Sequence, residues 1–135
     1  MPLRRGRTRP ITCDLLLARE RHGPALRVVC SDQAHHSVAR AAWLLGLPEP
    51  VRVPTVAGVI DVAALAGTLA RVPGPHFVVA TAGPTDRGVL DPIGPPADLA
   101  ERHGGHLHVD AAYGGGLLFG SRAHLLAGIE RADTV

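Results

Sequence analysis

The stretch HLHVDAAYGG, residues 106–115, alternates apolar and polar side chains as far as Asp110 and then turns into small residues and glycines. A strand that ends on an acid and then bends holds one carboxylate out at its tip. Such an acid serves as a helix cap or loop anchor, as a metal ligand, or as the partner of a cationic nitrogen on a ligand. His106 and His108 share a strand face with Asp110, because side chains alternate along a strand with period two. Two histidines and a carboxylate on one face are a candidate metal set, although spacing anchors no further ligand. A metal-binding module built on His106, His108 and Asp110 is therefore one alternative.

Two other stretches carry chemistry-bearing residues. In SDQAHHSV (31–38) a strand delivers Ser31 and Asp32 to a turn, and two histidines open a helix. A histidine there serves as a cap or a surface residue, or its flat imidazole stacks on a flat ligand. The helix start also offers backbone amides to an anion, although no glycine-rich loop precedes it. In ATAGPTDRGVLDP (80–92) Thr81 stands at a strand end before a Gly-Pro turn. Its hydroxyl either satisfies local backbone groups or points into the same cleft as His35 and Asp110.

The elements that must position these residues follow from hydrophobic patterning. ALRVVCS (25–31), VRVPTV (51–56, weakened by Pro54), HFVVATAG (76–83) and HLHVDAA (106–112) read as strands. HSVARAAWLLG (36–46), VAALAGTLARV (62–72, with Asp61 as N-cap), PPADLAERHG (95–104) and SRAHLLAGI (121–129) read as helices. ADTV (132–135) opens as another strand. The alternation predicts an α/β fold, a mostly parallel sheet flanked by helices. The strands' C-terminal ends then share one edge, where ligands bind. That edge gathers Ser31 to His36, Thr81 to Thr85 and Asp110 to Tyr113.

Composition bounds the rest. The 135 residues suggest one domain, with 46% apolar and 19% charged residues and only 3% aromatics, so Ala, Val and Leu must build the core. No apolar run reaches the ~18 residues of a membrane span, and no signal-peptide core follows the basic start, so the expected setting is cytoplasmic. Four arginines lie within residues 4–9, but a short basic tail on a domain of net charge +2 does not make a nucleic-acid binder. Cys13 and Cys30 show neither paired nor zinc spacing and read as buried free thiols. All fourteen basic residues are arginine. Chemistry that needs an amine side chain is excluded for these residues alone.

The three segments, in this order, resemble the group II pyridoxal-phosphate-dependent amino-acid decarboxylases, the family of the aromatic-amino-acid and glutamate decarboxylases. SDQAHHSV is similar to the family's S-D-x-A-H-x-S, ATAGPTDRGVLDPI to A-T-x-G-T-T-x-x-G-x-x-D-P-I, HLHVDAAYGG to H-V-D-A-A-Y-G-G, and GIERADTV to G-[IV]-E-x-A-D-S. The resemblance covers about residues 26 to 135. It implies part of the large domain of a fold-type-I pyridoxal-phosphate enzyme (a transferase-like fold) and lyase chemistry, the decarboxylation of an amino acid. It implies that Asp110 pairs with the cofactor's pyridine nitrogen, that His35 stacks on one ring face, that Ala112 packs on the other, and that Thr81 lies beside the ring or the substrate carboxylate. His35 and Thr81 are the catalytic candidates. His35, Thr81, Asp110 and Ala112 are the cofactor-binding ones. A protonated ring nitrogen held by a carboxylate is the better electron sink.

The resemblance also marks departures. The family's Schiff-base lysine would fall a few residues past Val135, so pyridoxal 5'-phosphate binds these residues non-covalently at most. Residues 1–25 read as a basic segment and helix in which RRGRTRPI (4–11) stands where the family has a phosphate-cradling T-S-G-G-[ST]-E-A-N. Only Gly6 and Thr8 agree there. Pro84 replaces a threonine of the G-T-T turn, and His36 a small residue. Residues 26–135 then form a partial cofactor-binding domain, expected to be a fragment. Taken alone it is inactive, and an inactive, non-enzymatic remnant is the other alternative. An amino-acid substrate for the completed protein and a homodimer are the implied partners, with neither nucleic acid nor membrane.

Overall fold

The computed structural model describes residues 9–83 and 89–135. Arg4 to Thr8, Pro84 and Thr85 lie outside the described residues, and so do the phosphate-loop comparison at Gly6 and Thr8 and the Pro84 departure. Helix α1 spans Ile11–His22, strand β1 Arg27–Ser31, helix α2 His36–Leu44 and strand β2 Val51–Val53. A small hairpin of β3 (Thr55–Val56) and β4 (Val59–Ile60) leads into α3 (Val62–Arg71) and β5 (His76–Thr81). Helix α4 (Gly94–Arg102) and strand β6 (His106–Asp110) follow.

The main sheet has the order β2-β1-β5-β6, with every neighbouring pair parallel. The predicted parallel sheet flanked by helices is therefore present. Its central strands RVVCS and HFVVAT are buried almost throughout, as strands covered on both faces must be. Leu15, Ala18, Val38, Ala41 and Ala42 of α1 and α2 cover one face, packed on Val28, Cys30, Phe77 and Val79. Leu65, Leu69, Ala97 and Ala100 of α3 and α4 cover the other, on Val29, Val78, Ala80, Leu107 and Val109. Each fully buried Val or Leu contributes roughly 1.5–3 kcal/mol, so this aromatic-poor chain is held by many small terms.

Local sequence accounts for the helix ends. Asp61 caps α3 by accepting from the Ala64 N–H at 3.1 Å. Prolines fill the first turn of α4, where their missing N–H costs nothing.

Several expectations need correction. VRVPTV is two strands: Pro54 cannot donate to a ladder, so β2 stays in the main sheet while β3 turns away into the antiparallel hairpin. Residues 121–129 are not one α-helix but a 3₁₀ turn at Ala123–Leu126, followed by another at Ile129–Arg131. Gly128, at φ +95°, separates them in a left-handed conformation that an α-helix cannot contain. A further 3₁₀ segment at Gly114–Phe119 had no signal in the pattern. ADTV makes a single parallel bridge, Thr134 to His108, rather than a strand. Cys13 is exposed, because it falls on the solvent side of α1. Only Cys30 is a buried thiol, pushed up to about 11 by burial against the opposing pull of Arg52.

Candidate functional site

Parallel pairing aligns the ends of β5 and β6 so that Thr81 lies opposite Asp110. Beyond those ends the chain is tied down by backbone bonds. The Ala82 N–H donates to the Asp110 carbonyl at 2.8 Å, and the Gly114 N–H donates to the Ala82 carbonyl at 2.9 Å. A side chain at Gly114 would collide with the Ala82 carbonyl, so only glycine allows this approach. The small residues after Asp110 thus let two loops cross closely above the strand ends.

A cavity of about 1000 Å³ opens at this edge, and His35, Thr81, Asp110 and Ala112 all line it. So do Arg9 and Arg40, which add two guanidinium groups to a lining that also holds the Asp110 carboxylate. Asp110 Oδ1 accepts from the Ala112 N–H at 3.2 Å, a local turn that aims the side chain. His35 is the N-cap of α2: its Nδ1 accepts from the Ser37 N–H at 3.2 Å and lies 2.9 Å from Ser37 Oγ. Its ring lies 4.0 Å from that of His36, tilted by 41°. Thr81 Oγ1 is buried with no hydrogen-bond partner among the described residues. A native structure rarely leaves a buried hydroxyl unpaired, so this atom marks a place where a ligand's polar group would be satisfied.

Asp91 was not singled out in the sequence. It is buried, and both its oxygens accept backbone bonds, Oδ1 from Ile60 at 2.8 Å and Oδ2 from Thr81 at 2.9 Å. Burial pushes its carboxyl up, while those two N–H groups pull it down. Asp91 thereby pins the end of β5 where Thr81 sits. The Asp-Pro pair at 91–92 was its only local signal.

His106 and His108 share a face with Asp110 as the alternation predicts, but they do not assemble a metal set with it. His106 Nε2 and His108 Nδ1 both bond Thr134 Oγ1, at 3.0 and 2.9 Å. Asp110 instead turns to Ala112 and the cavity. No group of three or more His, Cys, Asp or Glu suited to a metal ion occurs among the described residues. The metal-binding alternative finds no geometric basis among the described residues, because a threonine hydroxyl takes one nitrogen of each histidine and Asp110 Oδ1 bonds the Ala112 N–H. Burial holds the His108 imidazole down to about 4, despite the opposing pull of Asp110, so it is neutral.

Residues 20–135 match the pyridoxal-dependent decarboxylase conserved domain. The chain is 42% identical over 141 residues to L-2,4-diaminobutyrate decarboxylase of Rhizobium meliloti, covering 96% of this chain and 28% of that protein. It is 38% identical over 125 residues to the cysteine sulfinic acid decarboxylase of Rattus norvegicus, covering 83% of this chain and 24% of that one. Among solved structures, the apo form of mouse CSAD superposes with a TM-score of 0.84 at 33% identity, over 92% of this chain and 30% of that one. Catharanthus roseus tryptophan decarboxylase in complex with L-tryptophan superposes at 0.82 and 30% identity, over 92% of this chain and 31% of that one. The chain thus spans about a quarter of the length of these curated relatives. No described helix is long and apolar enough to cross a membrane.

Proposed function

The chain belongs to the pyridoxal-dependent decarboxylase family, and we propose that its cavity holds pyridoxal 5'-phosphate within an enzyme that removes the carboxyl group of an amino acid. One observation carries the reading: His35, Thr81, Asp110 and Ala112, from three separate segments, line a single cavity at the C-terminal edge of a parallel sheet. The residues suit the group. The lining supplies a carboxylate, two arginines and a buried hydroxyl that has no partner among the described residues.

When bound, the cofactor supplies an electron sink for the charge left as carbon dioxide departs. Asp110 would hold the ring nitrogen, its ionised carboxylate favouring the protonated form. His35, kept in place by Ser37, would present its flat ring to the cofactor face. Ala112 would permit close approach on the other side. Thr81 would offer its hydroxyl to the ring or to the substrate carboxylate. Arg9 and Arg40 would attract the phosphate, with the α1 N-terminus beside Arg9. The chain contains no lysine, so for these 135 residues the proposal is non-covalent binding.

The test is equilibrium binding of pyridoxal 5'-phosphate to the purified chain, followed by dialysis and cofactor absorbance, with and without borohydride. Reversible binding without a trapped adduct in residues 26–135 is expected. Asp110→Asn should weaken it about 10- to 100-fold, the worth of one charge-assisted contact. Equal affinity in wild type and Asp110→Asn would overturn the assignment.

A further inference from the structure

Helix α2 has no acid in its first turn, and its capping position holds His35 where a serine, threonine or short acid is usual. An imidazole caps through Nδ1. That atom accepts the Ser37 backbone N–H at 3.2 Å and lies 2.9 Å from the Ser37 hydroxyl oxygen. These contacts fix more than the orientation of the ring. A backbone N–H can only donate, so Nδ1 must present its lone pair. The Ser37 hydroxyl carries a rotatable hydrogen, which suits the same lone pair. An imidazole whose Nδ1 accepts carries its proton on Nε2. His35 Nε2 makes no hydrogen bond among the described residues. The residue is exposed, and it lines the cavity together with Arg9, Arg40, Thr81 and Asp110.

We propose that Ser37 is a positioning residue that sets the tautomer of His35, so that the ring meets a cavity ligand as a hydrogen-bond donor through Nε2–H. The rival tautomer, with Nδ1–H donating to the Ser37 hydroxyl, would turn one N–H toward another at Ser37 and lose the cap. With the cap made, neither ring nitrogen has a lone pair to offer. Ser37 takes one, and the proton covers the other. The ring edge therefore suits an anionic oxygen, as the Arg9 and Arg40 guanidinium groups in the same lining do, because all three only donate. An N–H lies in the plane of its ring. A His35 stacked on a flat ligand would thus direct Nε2–H parallel to the ligand plane, toward an oxygen projecting beside it rather than into its face. The tautomer is a property of the chain itself. The ligand oxygen rests on the proposed cofactor reading, and it belongs either to the cofactor or to a substrate carboxylate.

Two-bond proton–nitrogen correlation NMR on the ¹⁵N-labelled, ligand-free chain at pH 8.5 reads the tautomer. His35 should show a protonated Nε2 and an unprotonated Nδ1, with a larger Nε2–H share than the histidines of the urea-unfolded chain. Ser37→Ala removes one donor, keeps the backbone N–H and leaves a good helix former. It should shift the tautomer ratio about fivefold toward Nδ1–H, the net worth of one neutral hydrogen bond. A His35 protonated on Nδ1, a share no larger than in the unfolded chain, or a ratio indifferent to Ser37→Ala would overturn the role of Ser37. Binding is then read with pyridoxal 5'-phosphate and with its reduced adduct with glycine, which adds a carboxylate. His35→Phe keeps a flat ring without the N–H, and should weaken binding about tenfold, the worth of a hydrogen bond to a charged group. A loss with both probes assigns the oxygen to the cofactor, and a loss with the adduct alone assigns it to the carboxylate. Unaltered affinity for both would overturn the donor role. If wild type bound neither probe, the cofactor reading would fall together with the ligand half of the inference, and the NMR result would still decide the role of Ser37.

Discussion

The two faces of β5 and β6 are built from the same strands and do opposite work. Toward α3 and α4 they present Val78, Ala80, Leu107 and Val109, all buried and apolar, with one buried imidazole, His76, at the start of β5. Toward α1 and α2 they present Phe77, Val79 and Thr81 beside His106, His108 and Asp110. The first face stabilises by dispersion and by the removal of apolar surface from water. The second gives up much of that gain to bury imidazoles, a hydroxyl and, on α1, a carboxylate. Stability and chemistry are thus separated by the two-residue period of a strand. Each new polar group on the second face needs a partner, and Thr81 Oγ1, His106 Nδ1 and Asp14 Oδ2 lack one there among the described residues, while on the first face His76 Nδ1 at the start of β5 is also unpartnered.

The largest effect that would break this contrast is on the apolar face. Leu107→Ala should lower stability by about 3 kcal/mol, within the 2–5 kcal/mol of buried leucine truncations, as read from urea unfolding. A loss below 1 kcal/mol would mean that this face is not the main source of stability.

Next is acid sensitivity of the polar face. His108 titrates near 6.5 when unfolded and near 4 when folded, so between those values the unfolded state binds the extra proton. Its contribution is present above 6.5 and is lost as pH falls toward 4, by about 3 kcal/mol in all. Asp14 and Asp91, raised by burial, work in the opposite sense at the acid end. The difference in unfolding free energy between wild type and His108→Gln, measured at pH 7.5 and 4.5, isolates the histidine. A difference that did not change with pH would refute its burial as a neutral group.

Asp91→Asn should cost about 2 kcal/mol, because one of two backbone donors would then face an amide N–H instead of an oxygen. Hydrogen exchange at the Thr81 amide should accelerate more than at Val78, which Asp91 does not touch. Equal changes at both would show global destabilisation rather than release of the β5 end.

The smallest effect is the most pointed. Thr81→Val replaces a buried, unpartnered hydroxyl by a methyl and should leave the ligand-free chain equally stable, or more so by up to ~1 kcal/mol. The same change should weaken pyridoxal 5'-phosphate or substrate-analogue binding if the hydroxyl serves a ligand. Clear destabilisation of the free chain would mean that Thr81 is structural.

The fold was legible because its signals are local. RVVCS and HFVVAT are continuous apolar runs, HSVARAAWL and VAALAGTLAR carry a helical apolar stripe, and Asp61, Gly46 and the prolines at 95–96 punctuate them. The segment after Asp110 was misread because 3₁₀ turns have no distinctive period, and Gly128 interrupts a pattern that otherwise suits a helix. His35, Thr81, Asp110 and Ala112 could be named from motifs at strand ends. Asp14 and Asp91 could not. In isolation Asp14 is an ordinary acid in a helix, and Asp91 an ordinary acid before a proline.

What the sequence determined by itself was the alternation of elements, the edge at which polar residues gather, and the absence of any lysine, since each depends on the type and spacing of nearby residues. Only the tertiary structure decided that His106 and His108 answer to Thr134 rather than to a metal, that Asp14 faces His108, and that Asp91 grips Ile60 and Thr81. Those partners lie 10 to 94 residues apart along the chain. Packing α1 on the sheet and folding the C-terminal segment against β6 bring them together, and burial then sets their charge.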